Sequence, residues 1–175
     1  MKKNILVFPC GSEIALEIHR SMRFSAHFHL IGASSVADHG RFVYDDYIDD
    51  VPYHNEDGFI AFMQRIVRNR QVDAIYPAMD DIAKTLKQHE AELGCKIIGS
   101  SQETTTTCAS KVSTYRALAE TTVPLPNWTQ SVDQLTDYPT FIKPDVGYGS
   151  RGVFLARTAV DAQTFAARHT ATELV

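Results

Sequence analysis

The sequence predicts an α/β protein in which a doubly wound parallel-sheet domain is followed by a small α+β unit. Three observations carry that prediction. From residue 1 to about 100, short apolar runs alternate with segments of helical periodicity. After Ile98 the alternation stops, and polar, Thr-rich and Pro-bearing sequence takes over. Further on, two β-compatible runs, Phe141–Ile142 and Val153–Ala156, flank a glycine-rich stretch as the arms of a hairpin would. The expected division is 1–100 for the sheet domain, 101–122 for a connecting helical segment and 123–175 for the second unit.

Ile5–Phe8 reads as the first buried strand, and Glu13–Met22 follows as a helix capped by Ser12. Phe28–Ile31 is a second strand, ended by Gly32-Ala33-Ser34-Ser35. Phe59, Phe62, Met63, Ile66 and Val67 recur at helical spacing, with Asn55 or Asp57 placed to cap that helix. Asp73–Tyr76 is the third strand, closed by Pro77. Ile82–Leu93 is a helix with Gly94 as its C-cap, and Lys96–Ile98 is the fourth strand. Strands and helices alternating at these lengths imply a parallel sheet covered on both faces. Beyond the sheet, Thr104–Thr107 is β-branched and disfavours a long helix. Ser110 caps a helix from Lys111 to about Glu120, which Pro124 and Pro126 end, and a short helix over Val132–Leu135 leads into the hairpin. Thr158 and Asp161 are spaced as a capping box for a last helix reaching about His169.

Composition excludes several function classes. The length of 175 residues suits one domain or two small ones, and the 44% apolar content is ordinary for a globular chain. A net charge of −4 and a pI near 5.9 argue against a nucleic-acid partner. Arg65, Arg68 and Arg70 come nearest to a basic stripe and fit the solvated face of an amphipathic helix. No apolar run is long enough to span a membrane. The run that follows Lys2 and Lys3 stops at Pro9 without a small-residue cleavage site, so it reads as a strand rather than a leader. Cys10, Cys95 and Cys108 are odd in number and widely spaced, which matches neither a disulfide framework nor a zinc site and suits a reducing cytoplasm. His27 and His29 would share one strand face, but no third ligand is in view, so an exposed polar face is the better reading. His54 precedes a helix and carries no partner signal. No metal ligands are assigned.

Ligands of parallel sheets sit outside the carboxyl ends of the strands. That singles out Gly11 and Ser12 after the first strand, and Asp80 with Asp81 after the third, as candidate substrate contacts. A helix beginning at Ser12 offers N–H groups to a carboxylate or phosphate. For either residue alone the plainer role weighs more: Ser12 as an N-cap, Gly11 as a turn residue. Asp80 and Asp81 are balanced between a polar substrate and capping of their own helix. With only one glycine in the first turn, the dinucleotide-binding fingerprint is missing where it belongs.

The glycine stretch is the most informative segment. Gly147, Gly149 and Gly152 spell G-x-G-x-x-G, and their bare backbone lets N–H groups approach phosphates closely. Lys143, at the end of the preceding strand, sets a positive charge beside that cradle. A dinucleotide fold requires the motif to open a helix, whereas here it opens Val153-Phe154-Leu155-Ala156, a strand. A protein kinase has its valine two residues after the last glycine and its lysine downstream; here Val153 follows Gly152 directly and Lys143 lies upstream. The arrangement that fits is strand, Lys-Pro, glycine loop with Ser150 and Arg151, strand, and it resembles the ATP-grasp enzymes. A glycine-rich hairpin without a ligand is the bland alternative.

The order of motifs strengthens that resemblance over residues 1 to about 160. A doubly wound domain ends in Ile97-Ile98-Gly99-Ser100. A helix begun by Ser110-Lys111, a Val123-Pro124-Leu125-Pro126 segment, and Tyr138-Pro139-Thr140-Phe141-Ile142-Lys143-Pro144 with its glycine loop follow. This looks like a pre-ATP-grasp, Rossmann-like domain followed by the start of an ATP-grasp domain. The Phe8–Ile14 and Asp73–Asp80 segments look most like carbamoyl-phosphate-synthase large-subunit-like proteins. The resemblance implies ATP binding by Lys111, Lys143, Gly147, Gly149, Ser150 and Gly152, with Arg151 in the loop as readily a solvated arginine.

The chemistry it implies is ADP-forming activation of a carboxylate as an acyl phosphate, attacked by an amine, ammonia or another nucleophile. The implied partners are ATP, a small carboxylate and a nucleophile, with self-association into a homo-oligomer left open. Magnesium is the implied cofactor beside ATP. In that family its acidic ligands and the adenine-contacting strand come later than this point, so they are expected beyond Val175. No catalytic residue is assigned within residues 1–175, and the expectation is a truncated, by itself inactive, N-terminal part of a longer ligase. The alternatives are a non-catalytic nucleotide- or ligand-binding module, or half of a two-chain enzyme. A dinucleotide oxidoreductase is disfavoured by the absent first-turn fingerprint.

Overall fold

The run Lys3–Phe8 forms β1, and its alternation explains the layering of the N-terminal unit. Leu6 and Phe8 join one buried cluster, while Ile5 and Val7 join a second. Successive strand side chains point to opposite faces, so β1 is covered on both sides. The structure, a computed structural model, describes residues 1–147 and 149–168. It divides into two units, Met1–Thr105 and the chain from Thr106 onward.

The first unit is a five-stranded parallel sheet. Its strands are β1, β2 (Phe28–Ala33), β3 (Asp46–Ile48), β4 (Ala74–Pro77) and β5 (Lys96–Ile97), in the order β3-β2-β1-β4-β5. α1 (Glu13–Met22) packs Ala15 and Ile18 on the Ile5/Val7 face. α2 (Phe59–Asn69) and α3 (Asp80–Gln88) bring Phe59, Met63, Ile66, Ile82 and Leu86 to the Leu6/Phe8 face. The expected doubly wound architecture is therefore present. Leu6 pairs in register with Ile75, and Ile5 with Ala74, so β4 repeats the division of β1.

Several local expectations need correction. The sheet has a further edge strand, β3, preceded by a single 3-10 turn at His39–Phe42. It escaped because Asp46-Tyr47-Ile48 is only three residues long and half-buried, too short for an alternation to register. Neither Asn55 nor Asp57 caps α2; Gly58, at φ +88°, stands at that position. The segment read as one helix over Ile82–Leu93 is α3 followed by a separate turn, α4 (Glu90–Leu93), which Gly94 ends in the left-handed conformation at φ +71°. At the break, the Glu90 carboxylate accepts from Ile97 N (2.8 Å) and from the buried Lys87 Nζ (3.0 Å), tying α4 to β5. The Thr-rich stretch lies in α5 (Gln102–Ala109), only eight residues long, with Ser101 Oγ accepting from Thr104 N at 3.1 Å.

In the second unit, α6 (Lys111–Leu118) begins at its Ser110 cap, whose hydroxyl accepts from Ser113 N at 3.0 Å. A 3-10 turn at Val132–Gln134 replaces the short helix expected there. β6 (Thr140–Ile142) and β7 (Phe154–Ala156) pair antiparallel, with Ile142 opposite Phe154. α7 (Ala159–Arg168) packs beneath them: Ile142, Ala156 and Ala162 are buried together, and the Phe154 and Phe165 rings stack at 4.6 Å. The capping box is formed, since Asp161 N donates to Thr158 Oγ1 (3.2 Å) and Thr158 N to Asp161 Oδ2 (3.0 Å). The expected end of this helix at His169, and the Thr172–Val175 stretch, lie outside the described residues.

Candidate nucleotide-phosphate site

The hairpin puts the glycine motif between two antiparallel strands, the context that separates it from a dinucleotide fold. Gly147, Gly149 and Gly152 take positive φ values of 155°, 62° and 71°, and Ser150 adopts φ 57° between them. Gly152 has a second reason to lack a side chain. A Cβ there would come within 2.9 Å of the Pro144 ring, so the loop folds back on its own Lys-Pro entry.

Lys143 directly follows β6, and its Nζ donates to the Tyr115 hydroxyl at 3.2 Å. The ammonium lies 5.8 Å from that ring's centroid, so it meets the hydroxyl end and the π face contributes little. Lys143, Tyr115, Trp128, Phe141 and Leu135 line a cleft of about 300 Å³. Tyr115 and Trp128 face each other there at 5.5 Å.

Lys111, at the first position of α6, reaches the same hairpin. Its Nζ donates to the carbonyl oxygens of Asp145 (2.9 Å) and Gly147 (3.3 Å). The structure thus brings Lys111 to the glycine loop across more than thirty residues of sequence.

Asp145 is the residue that sequence reasoning missed. The residue is buried, at 6% exposure, and its Oδ1 accepts from Val112 N (2.7 Å) and from Ser110 Oγ (3.0 Å). Its carbonyl accepts from Lys111 N at 3.2 Å. With Ser113 N on Ser110 Oγ, the first three N–H groups of α6 are all satisfied by the chain itself. The head of this helix therefore offers its lysine side chain, not free amides, to an anion. One signal could have exposed Asp145: an acid next to a phosphate-binding loop works against its ligand unless its charge is used elsewhere.

The candidate substrate contacts lie in the other unit. β1 and β4 are neighbours, and chain order reverses between them, so Gly11, Ser12 and Asp80 follow strands on either side of the topological switch point. Ser12 takes the plain role, its Oγ accepting from Ala15 N at 3.2 Å. Gly11 is glycine for packing: a Cβ would collide with the Asp38 carboxylate, which is held by Gly40 N (2.8 Å) and by the buried Ser34 hydroxyl. Asp80 is exposed in the first turn of α3, where its charge complements the helix dipole. Nearby Cys10 is fully buried, and burial, then the Asp38 charge, push its thiol up to about 12. His29 does not stand alone, since its Nε2 lies 3.2 Å from Asp46 Oδ2, and His54 Nδ1 meets Thr85 Oγ1 at 3.5 Å.

Among the described residues, no group of three or more His, Cys, Asp or Glu side chains is arranged to hold a metal ion, so no metal ligand is assigned there. None of their helices is long and apolar enough to cross a membrane.

No protein-family profile matches the sequence, and no curated protein does. Solved structures do match. The fold is that of the N-terminal part of biotin-carboxylase-like ATP-grasp proteins. The biotin carboxylase domain of Hydrogenobacter thermophilus 2-oxoglutarate carboxylase, solved with MgADP, ADP and bicarbonate, superposes with a TM-score of 0.71 at 18% identity. That match covers 94% of this chain and 39% of that one. Thermotoga maritima N5-carboxyaminoimidazole ribonucleotide synthetase gives 0.63 at 17% identity, over 99% and 45% of the two chains. Bacillus licheniformis L-amino acid ligase gives 0.68 at 13% identity, over 95% and 42%. At these identities the likeness speaks for the fold, and the chain spans less than half the length of each neighbour.

Proposed function

We propose that this chain is the nucleotide-gripping N-terminal part of an ATP-dependent, ADP-forming ligase. The observation that carries the reading is the meeting of Lys111 with the carbonyls of Asp145 and Gly147, in the loop that follows β6 and Lys143. Two ammonium groups and a loop of exposed N–H groups then serve one polyphosphate. Lys111 and Lys143 neutralise the α- and β-phosphates, while the amides of Gly147, Gly149, Ser150 and Gly152 hold the γ-phosphate in line. A carboxylate oxygen of the substrate attacks the γ-phosphorus, the bond to the β-phosphate oxygen breaks, and ADP leaves. An amine, ammonia or another nucleophile then attacks the acyl carbon and expels phosphate.

Catalysis of this kind rests on positioning and charge neutralisation, which is what these residues supply. Among the described residues no group of three or more His, Cys, Asp or Glu side chains is gathered, and no step is routed through magnesium. Its ligands are proposed to lie outside residues 1–175, as are the groups that complete the adenine site. Gly11, Ser12 and Asp80 stay proposed as substrate-side contacts, with the Asp38 carboxylate already lying against Gly11. Carbon–nitrogen ligation, or carbamoyl-phosphate-synthase-like chemistry in a cytoplasmic enzyme, is the narrower form of the proposal.

Turnover tests it. The complete gene product should release ADP in the presence of a carboxylate and a nucleophile. Lys143→Ala should lower nucleotide affinity and rate together, because a charge-assisted phosphate contact is lost. No ADP release across broad substrate panels would refute the reading.

A further inference from the structure

We propose that Asp145 is a positioning residue that fastens the head of α6 to the glycine loop, so that Lys111 and the loop backbone grip phosphate as one element. The proposal rests on the nucleotide reading above for its functional half, but its structural half stands alone. A buried carboxylate on a phosphate-binding loop is costly unless its charge is used. Here every contact points to one use. Oδ1 takes the Val112 amide at 2.7 Å and the Ser110 hydroxyl at 3.0 Å, and that hydroxyl in turn accepts from Ser113 N. The main chain of the same residue takes Lys111 at both N (3.2 Å) and Nζ (2.9 Å). Side chain and backbone of Asp145 thus hold three consecutive residues, 110 to 112, against the strand exit.

Two consequences follow from the geometry. The negative carboxylate is turned toward α6, so it adds little repulsion to an anion approaching the loop. The Lys111 ammonium is also aimed: held on the Asp145 and Gly147 carbonyls, it sits at the loop rather than sampling solvent. A phosphate arriving there meets an ordered lysine and loses less to the cost of fixing it. Asp145 does not touch the nucleotide in this scheme and acts through Lys111.

The test has two arms. In the first, amide hydrogen exchange is followed without nucleotide in the 175-residue chain, comparing it with Asp145→Ala and Asp145→Asn. Asp145→Ala should speed exchange at residues 111–113 and in the peptide after Ile142, leaving β1 and β4 unchanged. Asp145→Asn, which keeps an oxygen acceptor, should restore most of the protection. Unchanged exchange in Asp145→Ala overturns the proposal whatever the ligand is.

In the second arm, ATP affinity of the complete protein is measured by calorimetry for Asp145→Ala, Lys111→Met and the pair. Each single change should weaken binding about tenfold or more, the size of one lost charge-assisted contact. The pair should be no weaker than Lys111→Met alone. Losses that multiply in the pair would make Asp145 a stabilising residue only and overturn its positioning role. If Lys111→Met binds ATP as tightly as the parent, the phosphate role of Lys111 and the gripping half of the proposal both fall, while the exchange arm still reports the fastening.

Discussion

Replacing Gly11 with alanine should destabilise the N-terminal unit through a collision with Asp38. The added methyl would overlap the carboxylate, and Asp38 cannot retreat without releasing Gly40 N and the buried Ser34 hydroxyl. Overpacking a filled site costs about 1–3 kcal/mol, so Gly11→Ala should cost about 2 kcal/mol. Asp38→Ala should cost a similar amount, about 2 kcal/mol, because it strands a buried hydroxyl and a backbone amide. In the double variant the methyl enters space the carboxylate has vacated, so the total should stay about 2 kcal/mol rather than about 4 kcal/mol, a coupling typical of touching residues. Hydrogen exchange of peptides from β1 and β2 reads the stability of this unit. Fluorescence of Trp128, the chain's one tryptophan and a resident of the second unit, serves as an internal control. Additive losses, or a Gly11→Ala variant within about 0.5 kcal/mol of the parent, would refute the packing argument.

Two further predictions concern titration and access. The Ile97 amide, with Lys87 and then Lys96 beside it, holds the Glu90 carboxyl below the usual carboxylate value, so its contribution is present above the unfolded value and lost as pH falls through the folded one. Glu90→Gln should therefore melt below the parent at pH 7, by about 1 kcal/mol in stability, and the two melting curves should converge in acid. A gap that persists at the lowest pH would sink that account. Thiol labelling of the native protein at pH 8 should modify exposed Cys108 first. Burial pushes Cys95 up to about 11 and Cys10 up to about 12, so both should react appreciably only after denaturant is added. Prompt labelling of all three in the native state would contradict it.

The parallel sheet was legible because its signals are long or doubly encoded. β1 is a continuous apolar run, and α1 carries its own cap in Ser12. β3 was not legible, since three half-buried residues leave no period to detect. The break at His89 was hidden too. It depends on where the Glu90 carboxylate goes, a contact seven residues ahead that no local propensity encodes. In the candidate site, the glycines and Lys143 were visible as a motif, and Lys111 through its position in the order of segments. Asp145 was invisible because its partners, Ser110 and Val112, lie more than thirty residues upstream. Gly11 was noticed for a different reason than the one that requires it: the turn allows many residues, and the Asp38 carboxylate does not.

The fastening of residues 110–112 to Asp145 also bears on the chain between them. From the end of α6 to the start of β6 the path carries only one 3-10 turn, and the residues from Thr121 to Pro124 are exposed. Because the head of α6 and the segment just after β6 are fastened to each other at Asp145, the length of the chain between them is uncoupled from that contact. Lengthening a loop whose ends are already joined adds only about 0.6 kcal/mol per doubling. Insertions near Thr121 and Thr122 are then a place where such a protein could acquire or lose sequence in evolution, or accept a reporter in the laboratory, with Lys111 still seated on its loop.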